Sequence, residues 1–421
     1  MHDPRLDGAD AGRLLVVPLV ILACGHMLSN MIRTLPAIAV DVMAPDLHSN
    51  PHDIASLTAA YHFAFALSQL PVGAALDRFA VRSVALALLA GTAVGGAFAA
   101  LAGGPPGFLI AQLLLGVATS GMLMCPMTLA ARRLSSARFG FWSGLTISLG
   151  NMGMLLSASP LAWIVDAFGW RAGFWVAVML SFAIAAAVIA GVPTDRPDAR
   201  KAHALLPEML DVIRLAVTPA LRGIVVIAFV SIAVVFVLRG LWAGPWLMDV
   251  KGLSRVATGN TLFVVTLALI AGPFLYGALD RRFGHRRALV AGGHLLSASA
   301  IVAMALGAPG HALSRLFGVA QMPTSYDAGL MIALGFTISA QPLIFAMARQ
   351  AVAVANTGKA LAAVNLSLFL GTAVMQSATD PVAALGGLPA VLLFMATELV
   401  AGALVFLWWT RAASGREARF G

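Results

Sequence analysis

Residues 73–83 read GAALDRFAVRS and residues 276–287 read YGALDRRFGHRR. Both stretches are short and basic and share an Ala-Leu-Asp-Arg core. Asp77 and Asp280 lie 203 residues apart in a chain of 421, close to half its length. Arg33 and Arg239, each set in an otherwise apolar run, are 206 apart. Similar motifs at a near-constant offset mark an internal duplication.

What surrounds the two loops decides the fold class. Sixty per cent of the residues are apolar, 11% are charged, and the mean hydropathy is +0.90. An ordinary soluble domain carries about 25% charged residues, so that class is excluded. A helix needs about 20 mostly apolar residues to cross the hydrocarbon core. Twelve such runs can be counted, from 14–42 to 388–410. Backbone groups in lipid must be satisfied internally, which rules out an open sheet. The expectation is an all-α membrane protein with twelve transmembrane helices. The longest polar stretch, residues 192–217, separates six runs from six. The predicted organisation is therefore a bundle over 1–191, a linker over 192–220, and a second bundle with a short tail over 221–421.

The net charge of +9 would suit a nucleic-acid binder, but its distribution does not. With the N-terminus inside, external loops hold only Arg171, Lys251, Arg255 and Arg315. Arg33 and Arg239 fall within spans, and the remaining Lys and Arg lie in segments read as cytoplasmic. This is the positive-inside bias of a protein with both termini in the cytoplasm. The first 13 residues and the long run after them do not read as a cleavable signal peptide. Cys24 and Cys125 both lie in apolar runs and give no disulfide framework.

The two loops carry the resemblance. Gly73, Asp77, Arg78 and Arg82 match the signature Gly-x-x-x-Asp-Arg-x-Gly-x-Arg/Lys-Arg/Lys, with Ala80 and Ser83 as departures. Asp280, Arg281, Gly284, Arg286 and Arg287 carry it again, the last three after a one-residue insertion, with Tyr276 in place of the first glycine. Over essentially its full length the chain resembles a major facilitator superfamily transporter. The resemblance implies two pseudo-symmetric six-helix bundles around a cavity that opens alternately to each side, and it implies no enzyme activity. A carboxylate flanked by arginines at a helix end can bridge to a neighbouring helix end, which suits a conformational latch. Proton-coupled relatives often carry an arginine where this chain has Gln112, four residues before Gly116. The Gly-Pro motif of drug/proton antiporters is also altered, to GNMGMLLSASP over 150–160.

Polar residues inside the spans point to the site. His26, Asn30, Arg33 and Asp41 fall on one face of the first run at helical spacing, and Arg239, Trp242 and Trp246 on one face of the seventh. An unpaired arginine near mid-membrane costs about 2.5–3.5 kcal/mol even on the gentlest scale, so it is a functional candidate by default. Guanidinium offers planar bidentate donors matched to carboxylate and phosphate. Organophosphate/phosphate antiporters of the superfamily have a similar plan, with an arginine in the first and seventh helices gripping the substrate. The resemblance therefore implies only Arg33 and Arg239 as an anion clamp. Asn30 on the Arg33 face, and the rings of Tyr61, Trp242 and Trp246, are candidate further contacts by spacing and residue type. Structural pairing of Arg33 with Asp41, and of Arg239 with Asp249 or Glu398, is the alternative. His26, His62, Asp41 and Glu398 are the candidates for ion coupling.

The expected protein is a secondary transporter of a small organic anion in a bacterial inner membrane. It would work as a monomer with a proton or counter-substrate, without cofactor, resident metal or nucleic acid. The chief alternative is efflux of neutral or cationic compounds by proton antiport. Copper uptake through Met27, Met31 and residues 122–127, a membrane sensor and an assembly factor are lesser alternatives.

Overall fold

A computed structural model of the chain describes residues 9–134, 136–194, 205–353 and 356–417. These residues form helices and the turns between them, with no strand among them. Ten stretches are long and apolar enough to cross a membrane. One of them, Gly358–Arg411, is 54 residues long and lies in a helix broken at Gly387, whose φ of 67° and ψ of −171° are non-helical. That break divides it into two crossings. The helix Pro51–Arg78 supplies the remaining one. It is less apolar than the others because it carries His62 and Gln69 in mid-helix. Twelve crossings result, and the multi-pass all-α class is the one expected.

Contacts between Cα atoms divide the chain into two compact units. The first holds the residues up to Leu35, Val42–Ser49 and Ala60–Leu205. The second holds Pro36–Asp41, Asn50–Ala59 and the residues from Leu206 onward. Two short segments from early in the chain thus belong to the second unit, and polar contacts explain why. Arg255 Nη2 donates to Asp41 at 2.5 Å and its Nε to the Ile38 carbonyl at 3.0 Å. Ser56 donates to Asp380 at 2.8 Å, and the Gln376 amide bonds the Thr58 hydroxyl.

Close helix approach in the first unit rests on glycine. A Cβ at Gly153 would overlap the Met27 carbonyl, and one at Gly150 would overlap the His26 ring. Small residues let membrane helices pack backbone to backbone, where dispersion rather than the hydrophobic effect holds them together. Gly153→Ala is therefore expected to destabilise by about 1–3 kcal/mol through overpacking. Gly292→Ala, where a Cβ meets nothing within 4 Å, is the control and should be neutral or slightly stabilising. Thermal unfolding of the detergent-solubilised variants checks this. Equal midpoints for the two would mean that the approach at Gly153 is not tight.

At one end of this unit Asp46 accepts from the Trp170 indole at 3.0 Å and from Arg171. The indole bond first, and Arg171 second, hold its carboxyl below the usual carboxylate range. Its stabilising effect is present above the unfolded pKa and is lost as pH falls through the folded one. Because Asp46 is half exposed, solvent screens most of that effect.

Candidate functional site

Arg33 closes the last turn of the first helix and is 5% exposed. Its Nη2 donates to the Ser29 hydroxyl at 3.0 Å. Its guanidinium carbon lies 4.6 Å from the centre of the Phe65 ring and 5.9 Å from that of Tyr61. Those two rings stack one helical turn apart, 6.0 Å between centres. The Tyr61 hydroxyl is fixed in turn by the Thr119 hydroxyl at 2.6 Å. His62 meets Tyr61 edge-on at 5.1 Å. The Ser29 hydroxyl and the Phe65 and Tyr61 ring faces thus surround the cation.

The first helix ends at Thr34, and Pro36, which has no N–H to continue the ladder, opens a new helix, Pro36–Asp46. His26 and Asn30 are buried with Arg33 on the first helix, and Asp41 lies on the helix that follows. Arg255, and not the expected Arg33, is the ion-pair partner of Asp41. Asn30 offers its carbonyl to the Thr34 hydroxyl at 2.8 Å.

Arg239 is 3% exposed and sits within π-helical turns spanning Val235–Trp242. A second π-helical stretch, Trp246–Val250, follows Ala243–Pro245. Pro245 lacks the N–H that regular α-helical bonding would use, and Gly240 and Gly244 lower the barrier to rewinding. Single π-turns inside α-helices occur often at functional sites. Arg239 Nε donates to the Thr266 hydroxyl at 3.1 Å, whereas Asp249 or Glu398 was the expected structural partner. Beside it lies a cavity of about 10 Å³ lined by Val235, Leu238, Leu262, Val265 and Met331. That space is at the lower limit for one water molecule, and apart from Arg239 its lining is apolar.

The two tryptophans of the seventh span go different ways. Trp242 donates to Thr379 at 3.0 Å. Trp246 donates to Asp327 at 2.9 Å. Asp327 also meets Lys251 at 3.0 Å, and these two side chains are 0% and 1% exposed. Lys251 Nζ further donates to the carbonyls of Gly307 and Met322 at 3.2 and 3.1 Å and lies 5.5 Å from the Trp246 ring centre. Sequence reading took Lys251 for an external-loop cation and passed over Asp327. The available signal was an acid inside the apolar run that begins near Tyr326. Glu398 is half-buried on the arm after Gly387.

In the second basic loop, Arg286 grips Asp280 with three hydrogen bonds of 2.8–3.0 Å. Gly284 caps the preceding helix with φ of 65°. Arg287 donates to the Leu407 carbonyl at 2.5 Å and to Thr410 at 2.8 Å. The first loop makes a comparable link, from Arg82 to the Ile189 carbonyl at 2.8 Å. The duplicated loops thus do similar work within their own units, each tying a helix start to the end of its bundle's last helix. Arg78 is exposed, and Gly73 faces Met124 across 3.1 Å of space for a Cβ. The Asp77 side chain lies outside the described residues. Among the described residues no group of three or more His, Cys, Asp and Glu side chains is placed to hold a metal.

Comparison with known proteins gives the fold a context. The structure is similar to that of a POT family transporter solved with 5-aminolevulinic acid, with a TM-score of 0.75, 11% identity, and 93% of this chain and 96% of that one covered. A peptide transporter POT solved with alafosfalin gives 0.75, 12%, 97% and 99%, and a nucleoside transporter gives 0.71, 14%, 93% and 99%. At such identities the likeness shows the fold alone. The tetracenomycin C resistance and export protein of Streptomyces glaucescens is 31% identical over 202 residues. That match takes in 46% of this chain and only 35% of the relative's length. Residues 22–374 match the sequence model of the Major Facilitator Superfamily. Since that match spans most of the chain and the helices take the fold it implies, this protein belongs to the Major Facilitator Superfamily.

Proposed function

We propose that the transported molecule is a small organic anion, a carboxylate or a phosphate ester, gripped by Arg33 and Arg239 during alternating access. One observation carries the reading. Each half of the chain buries a guanidinium within a membrane-spanning helix, oriented by hydroxyls and, for Arg33, by ring faces. Such neighbours fix the orientation of a guanidinium. An arriving carboxylate or phosphate therefore meets pre-set bidentate donors in a medium of low dielectric. The π-helical turns around Arg239 supply a segment able to rewind as the site opens and closes. Asn30, Tyr61 and Trp242 are the further contacts that suit a substrate with a ring or apolar part, whereas Trp246 serves Asp327. His62, edge-on to Tyr61, is the preferred coupling group, and the Asp280–Arg286 fork is the latch that must reorganise between access states. The positive-inside pattern supports a bacterial inner membrane with both termini cytoplasmic.

Outward movement is the second reading, since the partial relative is by name an export protein. Ligand-induced thermal stabilisation separates the two. The purified transporter is screened against carboxylates, phosphate esters and cationic drugs, with Arg239→Gln alongside, because a ligand bound to the native state alone raises apparent stability. Stabilisation by an anion class, lost in the variant, is expected. Stabilisation by cationic or neutral compounds that survives the substitution would overturn the clamp and favour efflux of that class.

A further inference from the structure

The second unit has a concavity of about 1000 Å³ at its basic end, beside the Asp280–Arg286 fork. Arg281, Arg286, Arg287 and Arg411 line it, against the single acid Asp280. Arg286 is committed to Asp280, and Arg287 is anchored to Thr410 and Leu407. Arg281 and Arg411 are exposed at its rim. The wall is therefore a fixed, net positive surface, and its complement is an anion bearing more than one acceptor oxygen.

Its position selects the kind of anion. The concavity lies where three apolar spans end, at Phe283, Arg286 and Arg411. Just short of it Trp408 is 67% exposed, with Trp409 stacked 6.3 Å away, and Phe283 is also exposed. Exposed tryptophan at the end of an apolar span sits at headgroup level in a bilayer. Met347 and Leu407 add an apolar floor that a soluble anion would not use. Basic pockets between transmembrane helices on the positive side take acidic headgroups. We infer that this concavity is a binding site for the phosphate headgroup of an anionic phospholipid.

The test uses the full-length detergent-purified protein in native mass spectrometry. Dioleoylphosphatidylglycerol is titrated against dioleoylphosphatidylcholine, with glycerol 3-phosphate as the soluble competitor. The wild type should retain one phosphatidylglycerol in preference to phosphatidylcholine. Arg281→Gln with Arg411→Gln should weaken that binding by about fivefold per arginine, while Arg281→Lys with Arg411→Lys keeps most of it. Both substitutions are at exposed positions, and an unchanged thermal midpoint confirms folding. Equal phosphatidylglycerol retention in the glutamine variant and the wild type would overturn the site. Full displacement by glycerol 3-phosphate at equal concentration would overturn the lipid as its occupant. Neither outcome touches the anion clamp, which lies on other helices.

Discussion

Lys251→Met is expected to lower the stability of the protein by about 3–5 kcal/mol, the usual effect of removing one partner from a buried ion pair. The Lys251 and Asp327 side chains are 1% and 0% exposed and 3.0 Å apart. Removing the lysine leaves a carboxylate in the interior with the Trp246 indole as its main remaining donor. It also strips two backbone carbonyls, those of Gly307 and Met322, of their shared donor. Trp246→Phe removes one hydrogen bond to a charged group and should lose only about 1.5–3 kcal/mol. The paired change Lys251→Met with Asp327→Leu removes both charges and should recover much of the loss, because buried pairs are often replaceable by apolar groups. Thermal unfolding in detergent reads all three. If Lys251→Met melts with the wild type, the network does not stabilise the fold and a functional role must be sought for it.

Arg239→Gln should reduce anion transport, as kcat/KM in proteoliposomes, by about two orders of magnitude, in line with truncating one member of a buried charge pair. Glutamine can still donate to Thr266, and it relieves the desolvation of a guanidinium that is 3% exposed. The fold should therefore persist, and a normal thermal midpoint with lost transport is the diagnostic combination. Arg33→Gln should behave alike, with the Phe65 and Tyr61 faces left unoccupied by charge. The double variant should be little worse than either single one, because residues acting as a unit are not additive. Anion transport within twofold of the wild type in either single variant would remove that arginine from the clamp. Loss of folded protein would instead assign it to structure.

How much of this was legible beforehand depends on the distance over which each feature is encoded. The twelve crossings were readable because each is a local run whose preference for lipid over water does not depend on its partners. The repeated loops were readable because duplication keeps residue types at a fixed offset. The partner of Asp41 was not readable, because Arg255 lies 214 residues away along the chain. The π-helical turns around Arg239 left a trace in Gly240, Gly244 and Pro245, though not their extent.

The sequence by itself determined that this chain is a duplicated, all-helical membrane protein with one buried arginine in the first and seventh spans. Apolar length, charge asymmetry and repetition are one-dimensional properties, so one dimension carries them. Only the tertiary structure decided the partners: Arg33 with Ser29 and Phe65, Arg239 with Thr266, and Lys251 with an aspartate 76 residues away. A hydrogen bond or ion pair needs atoms within about 3 Å in a fixed direction, and helix packing, not spacing along the chain, sets that.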